Sequence, residues 1–131
     1  MSAQPILKTS APEILPTLDL SAVTERVIAE HNLTAEQAER GEQWYRMFLS
    51  LRQSHASTSI APPALADKWW HEHITLTRKY FTDCEALFGS YLHHEPSSNE
   101  LENQRAKRNA IALYQSEFGA DLTLVKAADC Q

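Results

Sequence analysis

Apolar positions along this chain recur mostly at the three- and four-residue spacing of one helix face, and rarely in the strict alternation of a half-buried strand. Leu20, Val23, Val27 and Ile28 form the first stripe and predict a short helix over 21–31, capped by Asp19 or Ser21. Asn32 and Leu33 interrupt it. Thr34 followed by Gln37 fits a capping box, in which hydroxyl and amide each satisfy an orphan backbone donor. Trp44, Met47, Phe48 and Leu51 then continue a helix to about Gln53. Gly41 inside it costs roughly 1 kcal/mol relative to alanine, a cost that a close helix crossing would account for.

A small polar loop follows over 55–61. Pro62 and Pro63 end it and pre-set the first turn of a long helix over 63–88, which Gly89 stops in the left-handed conformation. On that helix Trp70, Ile74, Phe81, Cys84 and Phe88 share a face and predict the core-facing stripe. The connection Tyr-Leu-His-His-Glu-Pro leads to Ser97 and Glu100, a second capping box. It opens a helix to Phe118, ended by Gly119, whose stripe is thin: Leu101, Ile111, Tyr114 and Phe118. Residues 122–125 read either as a short extended piece or as a last helical turn.

The expected fold is all-α: a small helical bundle of three main helices plus a short N-terminal helix. Residues 1–17, with Pro5, Pro12 and Pro16, read as an N-terminal arm, and residues 18–131 as a single helical domain. Only three glycines and few strand-like runs argue against sandwiches and barrels. The net charge of -5 opposes binding to phosphate backbones, so no nucleic-acid partner is expected. The tightest basic group, Arg105, Lys107 and Arg108, is offset by Glu100 and Glu102 and reads as a solvated face. No apolar run approaches the ~18 residues of a membrane span, and the first residues lack the pattern of a signal peptide. A cytoplasmic protein is expected, with Cys84 and Cys130 as free thiols.

Chemistry concentrates between Asp67 and His94. Four of the six histidines fall there, with two of the three tryptophans and Cys84. Asp67 and His71 are four apart and therefore neighbours on a helix face. The aspartate either holds the imidazole by a hydrogen bond or joins it on a divalent ion. His71 and His73, two apart, point about 200° from each other around a regular helix and do not share an ion. A bond from His73 to Tyr80 or Thr77 would satisfy it without any function. His93 and His94 lie on the connection, from which one of them can return to the helix. Asp67, His71 and His94 would have the composition of a two-histidine, one-carboxylate triad. His73, His93 and Cys84 are secondary metal candidates, Cys84 alternatively a buried small hydrophobe. No phosphate loop, Gly-x-Ser-x-Gly, Gly-x-Gly-x-x-Gly or Cys-x-x-Cys is present.

Asp67, Trp70, His71, His73, Thr77, Tyr80, Asp83, Cys84, Gly89, Leu92, His93 and His94 together resemble the signature of glycine-rich domain-containing-protein-like sequences. That resemblance implies an all-α domain. Its plant members carry glycine-rich regions and are linked to development and stress, a role that a chain with three glycines does not inherit.

Two functions from different classes are carried forward. The first is a metal-binding protein or small metal-dependent enzyme, using iron, copper or zinc on a small molecule or peptide. The second is a non-catalytic protein-interaction module. In it Asp67, His71, Tyr80 and His94 would be a buried hydrogen-bond network locking the long helix to the connection. A metal-free enzyme with His71 and Asp67 as an acid–base pair ranks last, for want of a nucleophile or oxyanion site.

Overall fold

The computed structural model describes residues 14–95 and 97–124. Most of the N-terminal arm, Val125 and Cys130 lie outside them. The described part is all-helical: α1 (Ser21–His31), α2 (Ala35–Ser54), α3 (Ala64–Thr75), α4 (Thr77–Phe88) and α5 (Glu100–Leu113). α5 runs on into a π-helical turn, Tyr114–Phe118, and a 3₁₀ turn follows at Leu122–Leu124. No described helix is long and apolar enough to cross a membrane.

α2 is the central element. Tyr45, Met47, Phe48, Leu49 and Leu51 are almost completely buried, a wider arc than the expected stripe because α1, α3 and the end of α5 all cover it. The Thr34–Gln37 capping box is present in full. Gly41 sits under the ring of Trp69: a Cβ there would lie 2.1 Å from the indole Cζ3. The missing side chain is what lets α3 approach α2. Trp69 is held in that position by its indole N–H, which donates to Thr24 Oγ1 at 2.8 Å, while the threonine hydroxyl donates to Glu42. Arg46, on the same helix, donates to the carbonyl of Leu15 and pairs with Glu42, fastening residues 14–18 to the core.

Three local expectations are corrected. The long helix over 63–88 is broken at Leu76 (φ −87°, ψ 72°) into α3 and α4. Ile74, Thr75 and Thr77 are β-branched and weak helix formers, and the Thr75 hydroxyl takes the Glu72 carbonyl at 2.7 Å. The break rephases the faces, so Tyr80 and Cys84 are buried while Phe81, expected in the core, is 55% exposed. α5 is capped two residues later than expected. The Asn99 side chain accepts from Glu102 N, and the Ser97 hydroxyl instead accepts from Asn99 N. Leu101 is 76% exposed rather than part of a stripe. At α1, Leu20 occupies the cap position without a side-chain bond, and Asp19 binds Ser21 N and Oγ. Those bonds, chiefly the one from the Ser21 backbone, hold the Asp19 carboxyl below its usual range.

Candidate metal site on α3 and the following connection

The break at Leu76 decides where the reactive side chains go. In a straight helix, residues ten apart lie about 15 Å apart along the axis. Here two such pairs are hydrogen-bonded: His73 Nε2 to Asp83 at 2.8 Å, and the Trp70 indole N–H to the Tyr80 hydroxyl at 2.8 Å. The chain therefore turns sharply between α3 and α4. Gly89 then ends α4 at φ 73°, turning the chain. The connection is fixed to α4 at Leu92. Its carbonyl accepts from the Tyr80 hydroxyl, and its N–H donates to Cys84 Sγ at 3.5 Å. Two residues later His94 reaches α3.

There it stacks on Trp70, with ring centroids 3.9 Å apart and planes 24° from parallel. Its Nε2 lies 2.8 Å from Asp67 Oδ1 and 3.1 Å from His71 Nε2, and His71 Nε2 lies 3.3 Å from Asp67 Oδ2. Three ligand-type groups thus converge, and they form the one such cluster among the described residues. Metal–nitrogen and metal–oxygen bonds of about 2.1 Å give ligand–ligand edges of roughly 3.0 Å at right angles and 3.4 Å in a tetrahedron. The three observed separations sit close to that range. Without an ion, the His94 Nε2–H can donate to the carboxylate and share its hydrogen with the His71 lone pair, which leaves the 3.3 Å contact of His71 with Asp67 without a hydrogen. His71 is 60% exposed at its side chain and His94 22%. The cluster is therefore fixed on the His94 side and open to solvent on the His71 side.

The structure does not bring the other three candidates to this point. His73 is 1% exposed, with both ring nitrogens bonded, Nδ1 to the Tyr45 hydroxyl at 2.8 Å and Nε2 to Asp83. Burial lowers its pKa and outweighs the opposing pull of Asp83, so the ring is neutral at neutral pH. An ionised carboxylate only accepts, which places the proton on Nε2 and makes Nδ1 the acceptor of the tyrosine O–H. Burial also keeps the Tyr45 hydroxyl protonated. Lys79 completes the chain, 3.1 Å from Asp83. Cys84 is buried, and that burial pushes its thiol pKa up, the reverse of what a thiolate ligand or nucleophile needs. His93 is exposed and packs against Tyr91, with ring centroids 4.8 Å apart.

Tyr45 and Trp70 were not foreseen as polar partners. Their hydroxyl and indole N–H are the available signals, because a buried polar tip on an apolar stripe needs a partner. The interaction reading expected Tyr80 beside Asp67, His71 and His94. Instead Tyr80 belongs to a separate buried chain, Trp70–Tyr80–Leu92, one layer beneath them.

Compared with protein families, the chain matches the UCP032817-like family over residues 13–116. No curated protein and no solved structure matches it. The match corrects the resemblance to glycine-rich domain-containing-protein-like sequences. That resemblance rested on residues 67–94 alone, whereas the family match takes in α1, α2 and α5 as well.

Proposed function

The chain belongs to the UCP032817-like family, and we propose that it is a metal-binding protein holding one divalent transition ion through Asp67, His71 and His94. Iron, copper and zinc all accept imidazole nitrogen with carboxylate oxygen. The observation that carries the reading is the set of distances, 2.8, 3.1 and 3.3 Å, among the Nε2 atoms of His71 and His94 and the two carboxylate oxygens of Asp67, from two separate segments. Two histidines and a carboxylate on one side of an ion leave its other positions free. An ion so held supplies Lewis-acid or water-activating chemistry to a small molecule or peptide. The chain's own contribution is positional. Trp70 fixes the plane of the His94 ring, the Leu92 anchor fixes its distance from α3, and helical spacing sets Asp67 under His71. A cytoplasmic setting suits the free, buried thiol of Cys84.

The test is elemental analysis of untagged protein purified without chelator, beside its His71→Ala variant. His71 is exposed, so the variant keeps its fold. Near-stoichiometric iron, copper or zinc is expected in the parent and absent from the variant. A metal-free parent that also fails to take up added zinc, iron(II) or copper(II) overturns the reading.

One observation favours the interaction-module alternative. His94 is hydrogen-bonded to Asp67 and to His71 without an ion, and no buried side-chain polar atom among the described residues lacks a partner. In that reading the cluster latches the connection to α3, and His71→Ala changes melting but never metal content.

A further inference from the structure

Next to the triad lies a groove of about 440 Å³, within the size range of small-molecule sites. Its walls come from the end of α2, the loop after it, α3, the connection and α5. Its accessible apolar floor comes from half-buried Ala61, Pro62, Leu92 and Ala106, while Phe48 and Trp70, which also line it, are 0% and 6% exposed. His94 belongs to both places: it lines the groove, and its Nε2 points into the triad. A molecule in the groove therefore lies against a residue that the metal reading makes a ligand.

The charges on the groove walls select the ligand. Its one arginine, Arg52, turns its guanidinium onto the backbone carbonyls of Ala56 and Thr58, so that cation already serves the α2–α3 loop. Two carboxylate residues line it from separate segments, Glu95 on the connection and Glu102 on α5, and both are exposed. Glu102 accepts one bond, from the Ser59 hydroxyl at 3.1 Å, and a carboxylate has room for more. An anionic ligand would meet two like charges above an apolar floor. A cationic one would meet opposite charges there.

We propose that this groove binds a small organic amine, with an apolar body against Pro62 and Leu92 and a protonated nitrogen held by the carboxylates of Glu95 and Glu102. The inference rests on the metal reading in one respect: it names the substrate class that an ion at Asp67, His71 and His94 would face.

The experiment is an amide and indole NMR titration of the full chain, metal-free and zinc-loaded. The probes are 2-phenylethylamine and its charge-reversed counterpart of similar size, 3-phenylpropionate. The amine is expected to shift the Trp70 indole resonance and the Ala61 and Asn103 amides, and the carboxylate to leave them in place. A Glu95→Gln, Glu102→Gln double variant should weaken the amine about fivefold, the scale of losing exposed ion-pair contacts. Both positions are exposed, and preserved spectra in the variant confirm its fold. Equal or tighter binding of 3-phenylpropionate, shifts confined to other surfaces, no response to either probe, or undiminished amine affinity in the variant each overturn the inference. The two readings fail separately. Zinc uptake without amine binding removes only the amine site, and amine binding to a protein that takes up no zinc supports the groove and removes only the metal.

Discussion

His71 and His73 lie two residues apart on one helix and meet opposite environments. The 200° between them sends His73 inward, where it is 1% exposed, and His71 outward. His73 has spent both nitrogens on Tyr45 and Asp83, so it stabilises the fold and has no lone pair left for an ion. Removing its carboxylate partner tests that assignment. Asp83→Ala leaves the His73 N–H buried without an acceptor, at a cost of about 1–3 kcal/mol. A urea melt should show that loss while metal content stays at the parent level. An Asp83→Ala variant of unchanged stability would mean that the buried chain contributes nothing.

At the scale of elements, two glycines support the arrangement for different reasons, and alanine separates them. At Gly41 the backbone is helical, so alanine gains up to about 1 kcal/mol of propensity. Its Cβ, however, would stand 2.1 Å from a rigid indole ring. Overpacking of that kind costs about 1–3 kcal/mol, and α3 must move away. Gly41→Ala should be net destabilising by urea titration, with a changed environment for Trp69 in near-ultraviolet circular dichroism. At Gly89 a Cβ meets nothing within 4 Å, but φ is 73°. Gly89→Ala should therefore cost about 1–2 kcal/mol through backbone strain alone, leaving the aromatic spectrum unchanged. Identical spectra for the two variants would contradict this division.

At the scale of the whole molecule, the candidate site depends on one hydroxyl that never touches it. Tyr80 joins Trp70 on α3 to Leu92 on the connection, and Leu92 sets the reach of His94. Tyr80→Phe keeps the ring's packing and removes both bonds. It should lower stability by about 1–3 kcal/mol and weaken zinc binding about tenfold or more, as loss of an outer support does. Competitive titration against a chromogenic chelator measures the second effect. An unaltered zinc affinity would show that the connection holds His94 without this bond.

Much of this was legible in the residues. Helical periodicity placed α1, α2 and the start of α3. The Thr34–Gln37 box marked the start of α2 and Gly89 the end of α4 correctly, because caps and left-handed stops depend on neighbours in sequence. The pairing of Asp67 with His71 was legible for the same reason, being one helical turn. The helix break at Leu76 and the exposure of Phe81 were not. Each depends on the turn between α3 and α4, set by contacts between residues ten positions apart across the non-helical Leu76. Local spacing determined which side chains this protein offers and which way each leaves its helix. Only the tertiary structure decided which of them meet, because one non-helical residue redirects everything that follows it.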